Sequence, residues 1–507
     1  MRTKRKSARR DPSSSNSSSM PSRCKSKSKS TFPSTRRRGS GTPRTPRKMT
    51  SSVNNGCNTQ QRKRKGSKNN KDLISSLADD IVTHIVSFMD LKEAAKTSAL
   101  SKRWRYVWGN LPDCYNFDAS EMPWSRLESY DNQQYESKLR SFVRYVTQVV
   151  SSSPAQNISR FRARVPLDVN YKDDLQTWMN FVMGRSVKEL ELNLRGGAYN
   201  GEYERGKTPV YLGPFGCYEQ SPSAKTLVSL SLIALHIERC FLDSVLLNLP
   251  NLERLTMRHV DRSLHNNIRV VGPSLKLRYL EISGCSGLGA LEISASNLIS
   301  FIYSPHGVNE DVKFISVPLL DEVSFGGNYA VRLIHNFQPI SGFSSQLAKL
   351  ALCRINQFLG ISHSLIEFPR FRKLKQLELK MLSSYYMNLP FLTNFIHARP
   401  VLHKFQLQCK SRFNTGISPV GNVNGFDTVL SKLHHHLNTF EMVGFLGCEV
   451  DIELVLYLAR FSVLLDKVIL HPLLAKDYFG KTKEESSREQ AKLLRNQLPA
   501  TVQLEIL

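Results

Sequence analysis

The chain has 507 residues, of which 40% are hydrophobic, and it carries a formal net charge of +27 at pH 7. No run of about 18 apolar residues occurs, and the basic start MRTKRKSARR is followed by serines, so we expect neither a membrane span nor a secretory signal. The nine cysteines are scattered and never spaced C-x-x-C, which is typical of reduced thiols in an intracellular protein.

The N-terminal segment, residues 1–70, is strongly basic. Residues 1–71 contain 22 lysines and arginines against a single acid, Asp11. Because large apolar side chains are nearly absent, this segment cannot bury enough surface to offset chain entropy, and we expect a disordered tail. Three basic clusters favour recognition by an import receptor, and their candidate nuclear-targeting residues are Lys4, Arg5, Lys6, Arg36, Arg37, Arg38, Arg62, Lys63, Arg64 and Lys65.

Nuclear localisation is therefore the first interpretation of the tail, with the cytoplasm as a second compartment. Two alternatives stay open. One is a solvated, nonspecific basic tail, and the other is direct binding of nucleic-acid phosphates by the lysines and arginines.

The composition changes at residue 71, and the next 45 residues indicate three short helices. Ser76 and Asp79 fit a capping pattern, so the first helix should begin near them. Residues 91–99, LKEAAKTSA, predict a second helix, and Ser101 can cap a third. So short a segment rarely encloses this much apolar surface by itself, and we expect a protein partner to cover part of it.

The third helix contains two tryptophans among several cations. At about 100° per residue, Leu100, Trp104, Val107 and Trp108 fall within a narrow arc, and the cations lie away from it or at its flank. Base stacking would need the rings open to solvent beside the cations. The pattern instead indicates an apolar contact face.

Three motifs in this segment, LADDI (77–81), TSALSKRWR (97–105) and WGNLP (108–112), occur together in one known family. With them, the segment from Asp72 to Pro112 resembles the F-box, particularly its plant version. The resemblance implies docking onto the SKP-type adaptor of a cullin-RING ubiquitin ligase. The matching positions are Leu73, Ile74, Leu77, Ile81, Ile85, Leu100 and Trp104, although some of them could instead hold the three helices together.

One position departs from the family. Ala78 stands where the family usually has proline, which presets the first helical turn. Alanine keeps a good helix propensity, so we expect a modest loss of rigidity and no loss of fold.

From about residue 185 onward, a motif of two apolar residues around one variable residue recurs eleven times. Its starts are separated by 40, 25, 25, 21, 22, 27, 27, 28, 35 and 28 residues, and the positions are Leu190, Leu230, Leu255, Leu280, Phe301, Val323, Leu350, Leu377, Phe405, Phe440 and Val468. Most spacings fall in or near the leucine-rich-repeat range of about 20 to 29 residues. The predicted fold class is therefore α/β, with an irregular leucine-rich-repeat solenoid whose curved parallel sheet has helices or loops on its convex side.

Several phrases, such as LPNLERLTM (249–257), resemble the repeats that follow plant F-boxes, and residues 436–470 resemble the FBD region of the same family. The predicted organisation is a disordered tail 1–70, an F-box 71–115, a helical linker 116–184, leucine-rich repeats 185–430, FBD-like last repeats 431–475, and a C-terminal helix and terminal strand 476–507.

Strand alternation predicts which side chains face the concave surface. They are Glu189, Glu191, Ser229, Arg254, Thr256, Arg258, Tyr279, Glu281, Lys349, Gln376, Glu378, Lys380, Lys404, Gln406 and Gln408. The candidate target-binding residues in this row are Arg254, Arg258, Tyr279, Lys349, Lys380 and Lys404.

Motifs of catalysis and of phosphate or zinc binding do not occur in the sequence. His434, His435 and His436 are consecutive, cannot all point the same way on a strand, and have no Cys or acid within two residues, so solvated polar residues are favoured over a metal site. We expect no metal, no cofactor and no catalytic residue.

The leading hypothesis is a non-catalytic, substrate-recruiting subunit of an SCF-type ubiquitin ligase. Its partners would be a SKP-type adaptor, the cullin scaffold and an unknown protein target, for which it supplies positioning. One alternative is a nuclear chromatin- or RNA-associated scaffold that uses the tail outside any ligase. Another is a small-molecule receptor in which a ligand fills the solenoid.

Overall fold

The structure is a computed structural model, and it describes part of the chain. The described residues are 73–87, 89, 93, 96–97, 99–109, 114–119, 132–153, 155, 157–195, 210–212, 218–238, 241–272, 274–307, 311–355, 369, 371–381, 392, 395–396, 401–409, 433–473 and 483–507. The basic tail 1–70, with its ten candidate nuclear-targeting residues, lies outside this set. Residues Asp72–Leu507 belong to one compact unit.

Two helices of the predicted three-helix segment are described, Asp79–Ser87 and Lys102–Gly109. The first begins with Asp79 and Asp80, whose carboxylates complement the positive end of the helix dipole. Of the predicted second helix, 91–99, only Glu93, Lys96 and Thr97 are described as helical.

The two predicted caps differ in outcome. Ser101 Oγ accepts a hydrogen bond from the backbone N–H of Trp104 at 3.3 Å, as expected of a cap. Ser76 does not cap the first helix, because the helix begins at Asp79, directly after Ala78; the Ser76 hydroxyl instead donates to the carbonyl of Leu73 at 2.7 Å in the preceding turn. Such local hydrogen bonding is the usual competitor of capping for serine.

Nineteen strands lie within the described residues. In chain order they are β1 (Cys114–Asp118), β2 (Asn157–Arg164), β3 (Ser186–Asn193), β4 (Tyr211–Leu212), β5 (Ser229–Ile233), β6 (His236–Ile237), β7 (Arg254–Arg258), β8 (Asp261–Val271), β9 (Tyr279–Ser283), β10 (Ser286–Ser294), β11 (Ser300–Ser304), β12 (Val312–Ser316), β13 (Glu322–Gly326), β14 (Lys349–Ile355), β15 (Gln376–Met381), β16 (Lys404–Cys409), β17 (Thr439–Phe445), β18 (Lys467–Pro472) and β19 (Gln503–Ile506).

Fourteen of these strands form one sheet, in the order β1-β2-β3-β5-β7-β9-β11-β13-β14-β15-β16-β17-β18-β19. Every neighbouring pair is parallel, and the first apolar residues of the eleven motifs stand opposite one another, from Leu190 and Leu230 on to Phe440 and Val468. The predicted repeat strands and solenoid are therefore confirmed.

The sheet starts earlier in the chain than its predicted boundary at residue 185. Two of its strands, β1 and β2, lie before that boundary, and β2 falls inside the segment 116–184 predicted as a helical linker. That segment also contains the helices Asn132–Ser152 and Lys172–Met183. The strands and helices of this stretch therefore belong to the large sheet and its core, and they are not a separate linker.

A second parallel sheet, in the order β12-β10-β8-β6-β4, accompanies the middle repeats. From β5 to β13 the motifs follow one another every 21 to 25 residues, and from β13 to β18 every 27 to 35 residues. A strand spans about 3.3 Å per residue and a helix only 1.5 Å. A strand therefore crosses the same distance with fewer residues than a helix, which suits the shorter repeats. The convex side thus contains a sheet where only helices or loops were expected.

Within the described residues, helices occur at several points along the solenoid. Besides those already given, they are Pro222–Thr226, Phe241–Asn248, Gly327–His335, Glu449–Phe461 and Lys483–Leu494, with 3-10 turns at Val169–Tyr171 and Gln338–Ile340. One buried core extends from Tyr115 on β1 to Leu504 on β19.

Candidate adaptor and target interfaces

A second, much smaller core lies in the F-box segment. It consists of Val82, Val86, Trp104 and Val107, with Leu77 packed against it. Val82 and Val86 are one turn apart on the first helix, and Trp104 and Val107 share a face of the other, as the helical spacing predicts. Four buried side chains are all that join the two helices through apolar contact in the described segment.

Arg103 adds a polar clamp between the same helices. Its Nε lies 2.6 Å from Asp79 Oδ1, and its Nη1 donates to the carbonyl of Ser75 at 2.8 Å. Its Nη2 donates to the carbonyl of Leu77. One guanidinium group therefore connects the helix Lys102–Gly109 to the first residue of the helix Asp79–Ser87 and to the turn before it. The sequence had not indicated this role.

The seven predicted adaptor contacts separate into two groups. Trp104 is only 8% exposed and lies in the small core, so it does not offer its ring to a partner, and Leu77 is half-buried. The other five remain exposed, up to 71% for Leu73 and 68% for Leu100. With Met89, which was not among the predicted adaptor contacts, they form what we call the exposed apolar set: Leu73, Ile74, Ile81, Ile85, Met89 and Leu100.

The solvent face of the fourteen-stranded sheet carries the residues predicted to be concave. All fifteen alternate with the buried apolar columns, as the register of the strands requires. Two of these residues are nevertheless buried, Glu281 and Glu378, because neighbouring side chains cover them.

Glu281 is the centre of the first polar cluster on this face, and it is only 4% exposed. Arg258 pairs with it through two hydrogen bonds, Nε–Oε1 at 2.5 Å and Nη2–Oε2 at 2.8 Å. Tyr279 donates to Oε2 at 2.8 Å, and the Arg254 guanidinium lies 4.5 Å above the Tyr279 ring. Burial, with the hydrogen bond to Glu281, raises the pKa of Tyr279 to about 12.

Glu378 is the centre of a second cluster. Lys349 Nζ lies 2.7 Å from Oε1, and Lys380 Nζ lies 3.2 Å from Oε2. Burial would raise the pKa of Glu378, but the two ammonium groups outweigh it and lower the pKa below its ordinary value. Lys404 and Glu441 form a similar pair at 2.8 Å, with the same direction of pKa shift at Glu441.

All six candidate target-binding residues thus have their charge or ring engaged by a neighbour on an adjacent strand or the same strand. In the later repeats each named lysine has a carboxylate partner, although Lys349 and Lys380 share Glu378, so three ammonium groups face two carboxylates. Such pairs hold long side chains in fixed positions and suit recognition by shape and hydrogen bonding more than by net charge.

The three consecutive histidines differ in burial. His434 is buried, with Nε2 3.1 Å from the carbonyl of Ile396, whereas His435 and His436 are exposed. The expectation that all three are solvated is therefore wrong for His434, which links neighbouring repeats. Among the described side chains there is no group of three or more His, Cys, Asp and Glu placed to hold a metal ion. Within the same part of the chain, no helix has both the length and the apolar character needed to cross a membrane.

Comparison with known families gives two matches along the chain. The F-box domain matches residues 74–115, and the At1g61320/AtMIF1 LRR domain matches residues 216–501, more than half of the chain. The first match contains the small core and all of the exposed apolar set except Leu73, and the second contains most of the strands of the large sheet.

Similar proteins occur in Arabidopsis thaliana. F-box protein At3g59000 is 29% identical over 267 residues, which cover 50% of this chain and 52% of the relative, and putative F-box/LRR-repeat protein At3g18150 is 29% identical over 42% of each. The chain thus spans about half the length of these two relatives. F-box/FBD/LRR-repeat protein At4g26340 is 25% identical over 77% of this chain and 90% of its own length. The chain therefore belongs to the plant F-box/leucine-rich-repeat proteins.

Proposed function

We propose that this protein is the target-recruiting subunit of an SCF-type, cullin-RING ubiquitin ligase. The observation that carries the proposal is the exposed apolar set, which lies on an F-box in whose described part the core has only four buried side chains. Several large apolar side chains exposed on so small a unit are typical of a protein interface.

The F-box would bind a SKP-type adaptor through this set. Burying one large aliphatic side chain contributes roughly 1.5 to 3 kcal/mol, so several together can offset the loss of translational and rotational freedom on association. The partner must then present an apolar groove of matching size. The adaptor in turn connects the chain to the cullin scaffold.

The repeats would present a target protein on the solvent face of the large sheet. The fixed ion pairs around Glu281 and Glu378 supply shape and hydrogen-bonding groups there. In this role the chain supplies no nucleophile. It raises the effective concentration of target lysines near the transfer site, which is a positioning effect.

The adaptor interface is tested with the double variant Ile81→Ala and Leu100→Ala. Both side chains are exposed, so the unfolding temperature should stay unchanged while co-purification of the adaptor is lost. Leu247→Ala is the matched control, since Leu247 is 81% exposed on a repeat helix and lies outside the F-box. Unchanged adaptor recovery with the double variant would contradict the proposal.

We also propose that the basic tail directs the protein to the nucleus through an import receptor. The three clusters of lysine and arginine in residues 1–70 support this. Deleting residues 1–70 should shift the protein to the cytoplasm and leave adaptor binding intact. If the deletion instead removes a steeply salt-dependent association with nucleic acid, the scaffold alternative is favoured.

A further inference from the structure

The ion pairs on the solvent face of the large sheet differ in which partner reaches solvent. On the middle strands the carboxylate is the buried partner. The Arg258 side chain is 48% exposed and the Glu281 side chain only 5%, and Lys349 and Lys380 are likewise far more exposed than the Glu378 that they share. A protein that approaches this part of the face therefore meets the cations first.

Towards the two ends of the sheet both partners reach solvent. The side chains of Lys467 on β18 and Glu505 on β19 are exposed to similar extents, 36% and 32%. Arg160 on β2 and Glu189 on β3 are also nearly equal in exposure. In the other pairs of the end strands the cation is at most about twice as exposed as the carboxylate. The end strands thus offer hydrogen-bond donors and acceptors together, whereas the middle strands offer mainly donors.

The solvent-facing positions of β7 to β16 also carry two more cations than carboxylates. The cations are Arg254, Arg258, Lys349, Lys380 and Lys404, and the carboxylates are Glu281, Glu322 and Glu378. On β1 to β3 three arginines face three carboxylates, and on β17 to β19 one lysine and one histidine face two carboxylates. The surplus of cations is small and lies in the middle of the face.

Three of these cations lie in one row across the strands. Arg254 on β7, Lys349 on β14 and Lys404 on β16 share a register position, which is the first residue of each strand. Neighbouring strands are about 4.8 Å apart, so six strand spacings give the row a length of about 29 Å. Among the residues between its ends, Glu322 is the one acid. We call Arg254, Lys349 and Lys404 the cation row.

Two members of the cation row keep donors for a further acceptor. The Arg254 guanidinium lies 4.5 Å above the Tyr279 ring, and no described carboxylate lies within ion-pair distance of it. Lys349 shares the carboxylate of Glu378 with Lys380. Guanidinium and ammonium groups have five and three N–H donors, so these contacts leave hydrogen-bonding capacity unused.

We propose that the cation row binds an acidic segment of the recruited target that lies across the middle strands. That the segment belongs to a target rests on the proposed function, whereas the acid-binding surface itself does not. The exposed cations would form charge-assisted hydrogen bonds with Asp and Glu side chains, while the buried carboxylates beside them hold them in place. Since the net charge is small, the positions of the acids on the segment decide the affinity more than long-range attraction does.

The surface is tested on the full-length chain with a displayed library of random peptides of about 12 residues, which in extended form exceed the row in length. The library first passes over the double variant Arg254→Gln and Lys349→Gln and is then selected on the wild type. Peptides that bind the basic tail are removed in the first step, because both proteins contain the tail. The peptides that remain should be rich in Asp and Glu and should lose binding when these are replaced by Asn and Gln.

The double variant should bind the selected peptides about tenfold more weakly than the wild type, since an exposed ion pair is worth up to roughly a factor of five. Its fold should be kept, because Arg254 has no carboxylate partner among the described residues and Lys380 still neutralises Glu378. The unfolding temperature checks this. Glu322→Gln removes the acid of the row and should strengthen binding.

The matched control is the double variant Arg160→Gln and Lys467→Gln, which removes one arginine and one lysine at the same register position on the end strands. It should bind the selected peptides as the wild type does. An equal loss in this control, weaker binding by Glu322→Gln, or selected peptides without an excess of acids would overturn the proposal. An excess of aliphatic residues instead would assign the face to an apolar segment.

Adaptor recovery with the same variants reports on the ligase proposal separately. It should be unchanged in all of them, because their substitutions lie outside the F-box. Selected acidic peptides together with a wild type that recovers no adaptor would contradict the proposed function and leave the acid-binding surface standing.

Discussion

The F-box and the repeats bury apolar surface on very different scales. In the F-box, Val82, Val86, Trp104 and Val107 form the whole described core, and larger aliphatic residues such as Leu73 and Leu100 stay in solvent. In the repeats, each strand adds its apolar residues to a core that already contains those of its neighbours. A repeat array can therefore complete its own core, whereas the F-box leaves surface for another protein to cover.

The largest expected effect is that of Trp104→Ala on the F-box. Removing a buried tryptophan typically costs about 3 to 5 kcal/mol, and no other large side chain in this core can compensate. Amide hydrogen exchange should therefore become fast across Asp79–Ser87 and Lys102–Gly109 and stay slow in the repeat strands. Leu247→Ala should change neither region. Loss of protection throughout the chain would show that the two cores are not independent.

Leu280→Ala applies the same kind of change to the repeats. Leu280 is fully buried between Leu255 and Phe301 of the neighbouring strands, so we expect a cost of about 2 to 5 kcal/mol in the free energy of unfolding. Because each repeat contacts mainly its neighbours, exchange should rise around β7, β9 and β11 and much less at β18. Equal loosening at β18 would contradict a core built repeat by repeat.

Asp451→Asn should stabilise the C-terminal repeats. Burial raises the pKa of Asp451 to about 6, and its Oδ2 accepts from the Leu446 N–H at 2.8 Å. The folded chain keeps a proton on this carboxyl between its ordinary pKa of 3.8 and about 6, where the unfolded chain has lost it. Stability is therefore lost as pH rises through about 6.

Asparagine keeps an acceptor oxygen without the buried charge, so at neutral pH we expect a gain on the order of 2 kcal/mol. Denaturant unfolding at several pH values measures it, with the exposed Glu449→Gln on the same helix as the control. A loss of stability at neutral pH with Asp451→Asn would contradict the assigned cause.

Glu378→Gln should have the smallest effect, and its pH dependence has the opposite sign. The lowered pKa of Glu378 means that its pairs with Lys349 and Lys380 stabilise the fold above the ordinary pKa of 4.5, and that this is lost as pH falls through the lower folded-state pKa. Both lysines reach solvent, so we expect only about 1 kcal/mol at neutral pH. Glu322→Gln, at an exposed glutamate on the same face, is the control. If the free energy of unfolding depends on pH in the same way in the wild type and in Glu378→Gln, the pairing is disproved.

The repeat strands could be predicted because their signal is local. An alternation such as LEL at Leu190 already states which side chains are buried, and eleven such motifs set the register of the ladder. The strand β2 shows the same alternation, with Arg160, Arg162 and Arg164 beside the buried Phe161 and Ala163, but it has no leucine motif and was therefore not predicted. The acids that pair with them, Glu189 and Glu191, come from β3 and are far away in sequence.

The candidate adaptor site in the F-box was harder to predict from the sequence. Trp104 lies on an apolar helical stripe, which is compatible with a core or with an interface, and only its packing against Val82 and Val86 decides between them. Arg103 was missed because its partners, Asp79 and Ser75, are 24 and 28 residues away. A pairing between the cations of SKRWR and the acids of LADDI would have been the signal to follow.

Hydrogen exchange of the full-length chain, with and without a SKP-type adaptor, tests most directly whether a partner completes the F-box. Adaptor binding should slow exchange throughout residues 73–109 and leave the repeat strands β3 to β18 unchanged, because only the F-box has surface left to cover. Unchanged exchange in residues 73–109 with the adaptor in excess, or protection confined to the repeats, would contradict the account.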